Sequence, residues 1–244
     1  IMRHAVVTGA ARGIGKAIAT RLRAAGCRVT ALDRDFSGCD LDSQISRADF
    51  DLRELSKIRG VIDGLPEIDI LVNNAGVLHC PPTDRLATEG TLGFSDEMAD
   101  EIWTTNVRAP VRLVEAVAPQ MTARGKKSGD IGGRVVNIAS VSAFTGHPDL
   151  YYGASKAAVV NFTKSLARVV GRHIVINAVA PGPTVSQMFD ALPQERKDAT
   201  VASAYAGRAA NPEEIADVVA WLGLESPVYV NGTCVDANGG FYTR

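Results

Sequence analysis

Cysteine is scarce in this chain and unclustered. Cys27, Cys39, Cys80 and Cys234 are the only four among 244 residues. None forms a CxxC pair or takes His/Cys ligand spacing, so no zinc site or disulfide framework is encoded, and free thiols in a reducing compartment are expected. An excess of either charge is missing too, with 26 Lys and Arg against 27 Asp and Glu. Such a balance creates no long-range field to gather nucleic acid or an anionic membrane, so neither is an expected partner and any phosphate recognition has to be local. No apolar run approaches the length that spans a bilayer. The amino terminus enters the apolar stretch Ala5 to Val7 without a charged leader, and the expected location is cytoplasmic.

What is present is ordinary globular composition, 46% hydrophobic and 22% charged, at a length that suits one α/β domain over residues 1–244. Short β-branched runs recur at Ala5 to Val7, Val29 to Leu32, Ile70 to Val72, Val135 to Ile138, Val175 to Val179 and Cys234 to Val235. Helical patterns separate them. Alternation of this kind predicts a single Rossmann-type doubly wound parallel sheet with helices on both faces. Ile14, Ile18 and Leu22 recur every four residues, as do Ala154, Ala158 and Phe162, so each set is expected to face the sheet. Leu78 to Phe94 and Gly125 to Gly133 read as surface loops. Trp103 and Trp221 read as core residues because an indole buries a large apolar area.

The first strand runs into TGAARGIG, Thr8 to Gly15. Glycines there permit a tight turn at positive φ and let backbone approach a pyrophosphate at the start of a helix, where unpaired N–H groups and a partial positive charge lie. Gly9, Gly13 and Gly15, with Arg12 and Ile14 between them, make a dinucleotide site, although the spacing is not GxGxxG. Asp33 ends the second strand eighteen residues after Gly15. A carboxylate there accepts from ribose hydroxyls and repels a 2′-phosphate, which favours NAD over NADP. Arg12 and Arg34 oppose that preference, since either guanidinium can pair with a 2′-phosphate.

In YYGASK, Tyr152 and Lys156 stand at i and i+4 and share one helical face. Oxidising a secondary alcohol requires a base for the hydroxyl proton, and a phenol needs a nearby cation to serve near neutrality. Ser140, twelve residues before Tyr152, ends the strand VVNIAS, where its hydroxyl can meet the same substrate oxygen.

Together these residues resemble the short-chain dehydrogenase/reductase family, in its single-domain branch, over nearly the whole chain. The resemblance implies that TGAARGIG is the cofactor loop, Asp33 the ribose-binding acid, and Asp51 with Leu52 the adenine-contacting pair after the third strand. It makes NNAG, with Asn74, Ala75 and Gly76, the fourth-strand motif beside the cofactor. Asn106 would hold a water in a proton relay, and Ser140, Tyr152 and Lys156 would form the catalytic trio. In VAPGPTVSQM, Pro181, Gly182 and Thr184 would flank the nicotinamide, with Ser186 standing where the family usually has threonine. The family further implies a homotetramer or homodimer, built through helices beginning near Asp96 and Tyr151, and no metal.

The chain also departs from the family pattern. Its serine-to-tyrosine spacing is one residue short, which makes Ser142 a rival to Ser140. Tyr151 reads as a pocket or packing residue, and His147 as a loop residue outside the site. ATEGTLGFSDE looks like an insertion, while Met188, Phe189 and Leu192 are candidates to cap an apolar substrate. The leading expectation is an NAD-dependent oxidoreductase interconverting a small secondary alcohol and a ketone, such as a 3-hydroxyacyl thioester or a hydroxysteroid. An NADPH-dependent 3-oxoacyl thioester reductase and a non-catalytic dinucleotide-sensing scaffold are the alternatives.

Overall fold

Residues 2–79, 88–190 and 194–243 are described by a computed structural model, without the side chains of residues 187, 188 and 196. Cys80, the 80–87 part of the expected loop, Leu192 and the Met188 side chain therefore lie outside the described residues. The apolar runs pair into a seven-stranded sheet in which each neighbour is parallel. The strands are β1 (His4–Thr8), β2 (Arg28–Asp33), β3 (Ser46–Asp49), β4 (Ile70–Asn73), β5 (Gly133–Ile138), β6 (Ile174–Pro181) and β7 (Cys234–Ala237). Their order is β3-β2-β1-β4-β5-β6-β7. The winding reverses between β1 and β4, so a crevice opens at the carboxyl ends of those two strands.

Alternate side chains of each strand enter opposite layers. Ala5 and Val7 join Ile18 and Leu22 of α1 (Gly13–Ala24) and Ile215 and Val219 of a carboxyl-terminal helix, Pro212–Leu224. Val6 and Leu71 face the other side, with Ile58 and Ile62 of α2 (Ile58–Asp63) and Leu113 and Val117 of a long helix. Each fully buried aliphatic side chain of this kind contributes roughly 1.5–3 kcal/mol.

The long helix has two segments, α3 (Asp96–Trp103) and α4 (Ala109–Ser128), joined by a π-helical turn at Thr104–Arg108. Further helices among the described residues are α5 (Ser142–Thr145), α6 (Leu150–Val169), α7 (Gln187–Asp190), α8 (Gln194–Ser203) and α9 (Pro212–Leu224).

Three sequence expectations need correcting. Gly125 to Ser128 are not loop but the last turn of α4, which ends at Gly129 with φ 75°. Gly125 serves close approach rather than a turn, since a Cβ there would lie 2.7 Å from that of His173. The stripe Ala154, Ala158 and Phe162 meets the core only in part: Phe162 is half-buried against a cluster that includes Ala178 and Ala180 of β6, Ala154 is exposed, and the fully buried face of α6 is Gly153, Ser155, Lys156, Val159, Val160 and Thr163. Polar residues occupy the inner face here because the site lies beneath it. Trp221 is 39% exposed, as it stands beside and not within the buried stripe of α9.

Candidate active site

The glycine loop lies at the mouth of the crevice. Gly9 and Gly13 have φ of 64° and 53°, conformations that side-chain-bearing residues rarely adopt. A Cβ on Gly15 would come within 2.0 Å of the Gly9 carbonyl oxygen, and one on Gly9 within 2.8 Å of Ala75 Cα. Arg12, the residue before α1, has extended backbone and forms no side-chain capping bond, so the first turn of the helix keeps its donors for an anion. Ile14 is half-buried against the cluster beneath α1. These features fit a dinucleotide pyrophosphate.

Thr8, which no motif reading singled out, ties this loop to the fourth-strand motif. Its Oγ1 accepts from the backbone N–H groups of Asn74 and Ala75, each at 3.0 Å, while Asn74 Nδ2 donates to the Thr8 and Gly9 carbonyls at 2.9 and 3.0 Å. The adjacent strands are pinned in the same manner through Asn73 Nδ2, Asn137 and Thr163.

At the adenosine end, Asp33 accepts three backbone N–H groups, from Ala11 at 2.9 Å, Arg34 at 2.8 Å and Asp35 at 3.3 Å. About one of its roughly four lone-pair directions is left for a ligand. Beside it a cavity of about 480 Å3 is bounded by Arg34, Asp35, Asp51 and Arg53 among others. Arg53 grips Asp51 through Nε and Nη2 at 2.6–3.1 Å, which holds that carboxyl below its usual range. Leu52 is buried in the core beneath α2 and α4, so its backbone rather than its side chain is the part available at this end of the crevice. Arg12 turns toward Asp35 at 3.1 Å, and hydrogen bonds from Ser37 and Arg12 lower the Asp35 pKa to about 2.

The candidate proton-handling residues converge from four elements. Lys156 is buried, with Nζ donating to the Ile138 carbonyl at 2.9 Å and lying 5.7 Å from the Tyr152 ring centre. Burial lowers its pKa to about 8. Gly76 makes room for this arrangement, since a Cβ there would meet Lys156 Nζ at 3.3 Å and Asn106 Oδ1 at 3.4 Å.

Asn106 lies in the π-helical turn, an irregularity that commonly marks functional positions. Its Oδ1 accepts from Val77 N at 2.8 Å, and its Nδ2 donates to the Val77 carbonyl and to Ser155 Oγ. Ser155 Oγ in turn donates to the Tyr152 carbonyl at 2.7 Å. Ser140 follows β5 and accepts the Ser142 N–H at 3.1 Å, so the two serines form one turn with Ser140 at the strand end.

Asp149 was not anticipated. Its fully buried carboxylate accepts Tyr152 N–H at 2.9 Å, capping α6, and His79 N–H at 2.6 Å. An Asp three residues before a helical position is a recognisable cap signal, but nothing in the local sequence points to His79. His147 lines a cavity of about 310 Å3 with Ser142, Leu150 and Ala154, and its ring centre is 5.0 Å from that of Tyr152. Tyr151 instead packs edge-on to Phe94 at 5.4 Å.

On the nicotinamide side, Pro181 closes β6 and accepts from Val141 N–H, while Gly182 lies so close to β7 that a Cβ would come 2.7 Å from Asn238 Cα. Thr184 Oγ1 donates to the Gly182 carbonyl at 3.0 Å, and Ser186 Oγ donates to that of Thr184 at 3.2 Å. Ser186 lies across the crevice from Gly13, whose Cβ, if present, would be 3.9 Å away. Among the described residues no group of three or more His, Cys, Asp or Glu could hold a metal ion, and no helix is long and apolar enough to cross a membrane.

Known proteins share this architecture. A family model described as short chain dehydrogenase matches residues 3–197. The 3-oxoacyl-(acyl-carrier-protein) reductase of Vibrio cholerae is 35% identical over 249 residues, covering 98% of this chain and 96% of its own. A 3-ketoacyl-(acyl-carrier-protein) reductase from Brucella melitensis complexed with NADH superposes with a TM-score of 0.85 at 26% identity, over 98% of each chain. A gluconate 5-dehydrogenase from Burkholderia cenocepacia in complex with NADP and tartrate has a TM-score of 0.85 at 29% identity, over 98% of this chain and 94% of its own. With the family model covering most of the chain and the fold shared throughout, this chain belongs to the short-chain dehydrogenase family of NAD(P)-dependent oxidoreductases acting on CH–OH groups.

Proposed function

We propose that the enzyme interconverts a small to medium apolar secondary alcohol and its ketone with NAD(H) preferred, and that Tyr152 is the acid/base. The observation that carries this reading is the buried Lys156, its Nζ 5.7 Å from the Tyr152 ring centre. A cation at that distance stabilises the phenolate over the phenol. With a pKa of about 8, Lys156 is still mostly charged at neutral pH.

When bound, the dinucleotide supplies the hydride acceptor or donor. Every other step belongs to the chain. Gly9, Gly13, Ile14 and Gly15 cradle the pyrophosphate, while Asp33, Asp51 and Leu52 hold the adenosine end. Asn74, Ala75 and Gly76 form the floor between the two halves. Pro181, Gly182, Thr184 and Ser186 orient the carboxamide, the Ser186 hydroxyl replacing the usual threonine. Ser140 steadies the substrate oxygen while Tyr152 takes or gives its proton. Lys156 lowers the tyrosine pKa and holds the ribose, and Asn106 orders the relay water beside it.

Support for NAD comes from Asp33 at the ribose end and from Arg12, which is engaged by Asp35. The 35% identity to a 3-oxoacyl-(acyl-carrier-protein) reductase favours a second reading, an NADPH-dependent reductase of 3-oxoacyl thioesters. We take the chain to act as one domain in the cytoplasm. A homodimeric or homotetrameric contact would form through α3 and α6, the helices that begin at Asp96 and Leu150.

Replacing Tyr152 with Phe tests the assignment. Turnover is expected to fall by at least about a thousandfold, within the range attributable to general acid–base catalysis, while dinucleotide binding followed by fluorescence changes little. Retained turnover in Tyr152→Phe refutes the role. A wild-type enzyme that binds dinucleotide yet turns over none of a panel of secondary alcohols, 3-oxoacyl thioesters and steroids favours the scaffold.

A further inference from the structure

We propose that Glu101 is a specificity-determining residue for the dinucleotide: its carboxylate occupies the Arg34 and Arg53 guanidiniums, so that a 2′-phosphate has to displace it. The inference deepens the NAD reading given above and rests on it for the location of the adenosine end.

Arg34 directly follows Asp33, and Arg53 follows Asp51 by two residues; both border the cavity of about 480 Å3. They are the cations best located to receive a 2′-phosphate. Both are already engaged by a single oxygen, since Glu101 Oε1 lies 3.4 Å from Arg34 Nη1 and 3.3 Å from Arg53 Nη1. The second oxygen, Oε2, is 3.1 Å from His79 Nε2. Glu101 is thereby held from three directions.

Its side chain is 23% exposed, against 51% for Asp35 in the Arg12 pair, although Arg34 and Arg53 are themselves 50% and 47% exposed. Coulombic attraction is screened less at such a site than at an open surface. The remaining donors of Arg53, Nε and Nη2, are taken by Asp51. Asp35, Asp49, Asp51 and Glu54 also border the cavity, so carboxylates outnumber guanidiniums around it even before Glu101 is counted. A phosphate dianion entering there competes with an anion that both arginines already hold and has to approach several carboxylates. A ribose 2′-hydroxyl meets neither obstacle.

Glu101 reaches the adenosine end from α3, across the crevice from β2 and β3, and five residues before Asn106. It therefore links cofactor choice to the helix that carries a candidate relay residue. It lies outside the candidate cofactor-binding segments described above.

Glu101→Gln keeps the length of the side chain and a partner for His79 but removes the charge. The ratio of KM for NADP to KM for NAD is expected to fall about tenfold or more. Adenosine 2′,5′-bisphosphate, titrated by calorimetry against 5′-AMP, reads the same change without turnover and should gain about tenfold over the wild type. Glu101→Asp restores the charge on a shorter arm, and both ratios should fall between those of Glu101→Gln and the wild type. Combining Glu101→Gln with Arg34→Met and Arg53→Met should abolish the gain if the freed guanidiniums produce it. If Glu101→Gln does not fold, the calorimetric comparison of wild type with Glu101→Asp decides: the shorter acid should weaken its hold on the arginines and raise relative bisphosphate affinity measurably.

Ratios unchanged within twofold, or a gain that survives loss of both arginines, would overturn the proposal. The wild-type ratio tests the NAD reading separately. An enzyme that prefers NADP at the outset refutes that reading, while the shift on removing the Glu101 charge still decides the role of Glu101.

Discussion

Lys156 must remain charged inside the protein for its part in the proposed chemistry, and burial opposes that. Its pKa of about 8, against 10.5 for the unperturbed group, corresponds to a desolvation cost on the order of 3 kcal/mol. Below about pH 8 the group is charged in both the folded and unfolded states, and the cost is borne in full. Between about 8 and 10.5 the folded protein loses the proton first, so this group's contribution to stability rises with pH there. Lys156→Met removes the charge but leaves the Ile138 carbonyl without its donor, which returns about 1–3 kcal/mol. The variant is expected to lose turnover, to show a melting temperature equal to or up to roughly 4 °C above that of the wild type, and to lack the rise in stability between pH 8 and 10. A melting temperature several degrees lower would contradict a desolvated ammonium.

At the scale of elements, α6 depends on one carboxylate. Asp149 caps the helix at Tyr152 N–H and simultaneously fastens the His79 backbone, so it couples the helix that carries Tyr152 and Lys156 to the segment after β4. Asp149→Ala removes a cap worth about 1 kcal/mol and leaves a second buried donor unpaired at about 1–3 kcal/mol. A fall of roughly 2–4 kcal/mol in unfolding free energy by urea titration is expected, with kcat reduced more than cofactor affinity. Asp149→Asn, which retains one acceptor, should recover part of both. Equal loss in the two variants would argue against the acceptor role.

Elements differ in how much of this the sequence discloses. The six apolar strands are legible because their apolar side chains enter core, on both faces in the central strands, whereas β3, Ser46–Asp49, is a mostly exposed edge strand whose polar residues give no apolar signal. The glycine loop, Asp33, Asn106, Ser140, Tyr152 and Lys156 are legible as local motifs. Glu101, Asp149 and Thr8 are not, since Glu101 meets His79, Arg53 and Arg34 across 22, 48 and 67 residues, Asp149 meets His79 across 70, and Thr8 meets its partners across 64 or more. Only folding brings those partners together. For the same reason the stripe Ala154, Ala158 and Phe162 misleads in part, since Ala154 is exposed while Phe162 packs on the core: apolar spacing identifies a face, not what the face meets.

Across the whole molecule the two ends of the sheet divide their work. The proposed site gathers at the carboxyl ends of the strands, while buried polar anchors gather at the amino ends. Arg134, at the start of β5, donates to the Leu222 and Ser226 carbonyls and to Ser226 Oγ, and so ties the end of α9 to the sheet. His4, at the start of β1, is its counterpart. His4 Nδ1 lies 3.2 Å from the Pro66 and Glu67 carbonyls, so it carries the proton, and Nε2 accepts from Thr30 Oγ1 at 2.9 Å. Burial lowers the His4 pKa from 6.5 in the folded state, because the neutral ring is the form that fits. Above about pH 6.5 the ring is neutral in both states and the contact is intact. As pH falls below that value the unfolded chain binds the proton first, and stability is lost until the folded ring is protonated as well. Urea titrations at pH 7 and pH 5 should therefore show a larger loss of stability in the wild type than in His4→Asn, which cannot titrate. The variant should be less stable at pH 7 yet retain its kcat, since nothing at the amino ends of the strands touches the site. A wild type and variant that lose stability in parallel would mean that the acid response originates elsewhere, and a variant with altered kcat would mean that the two ends of the sheet are not independent.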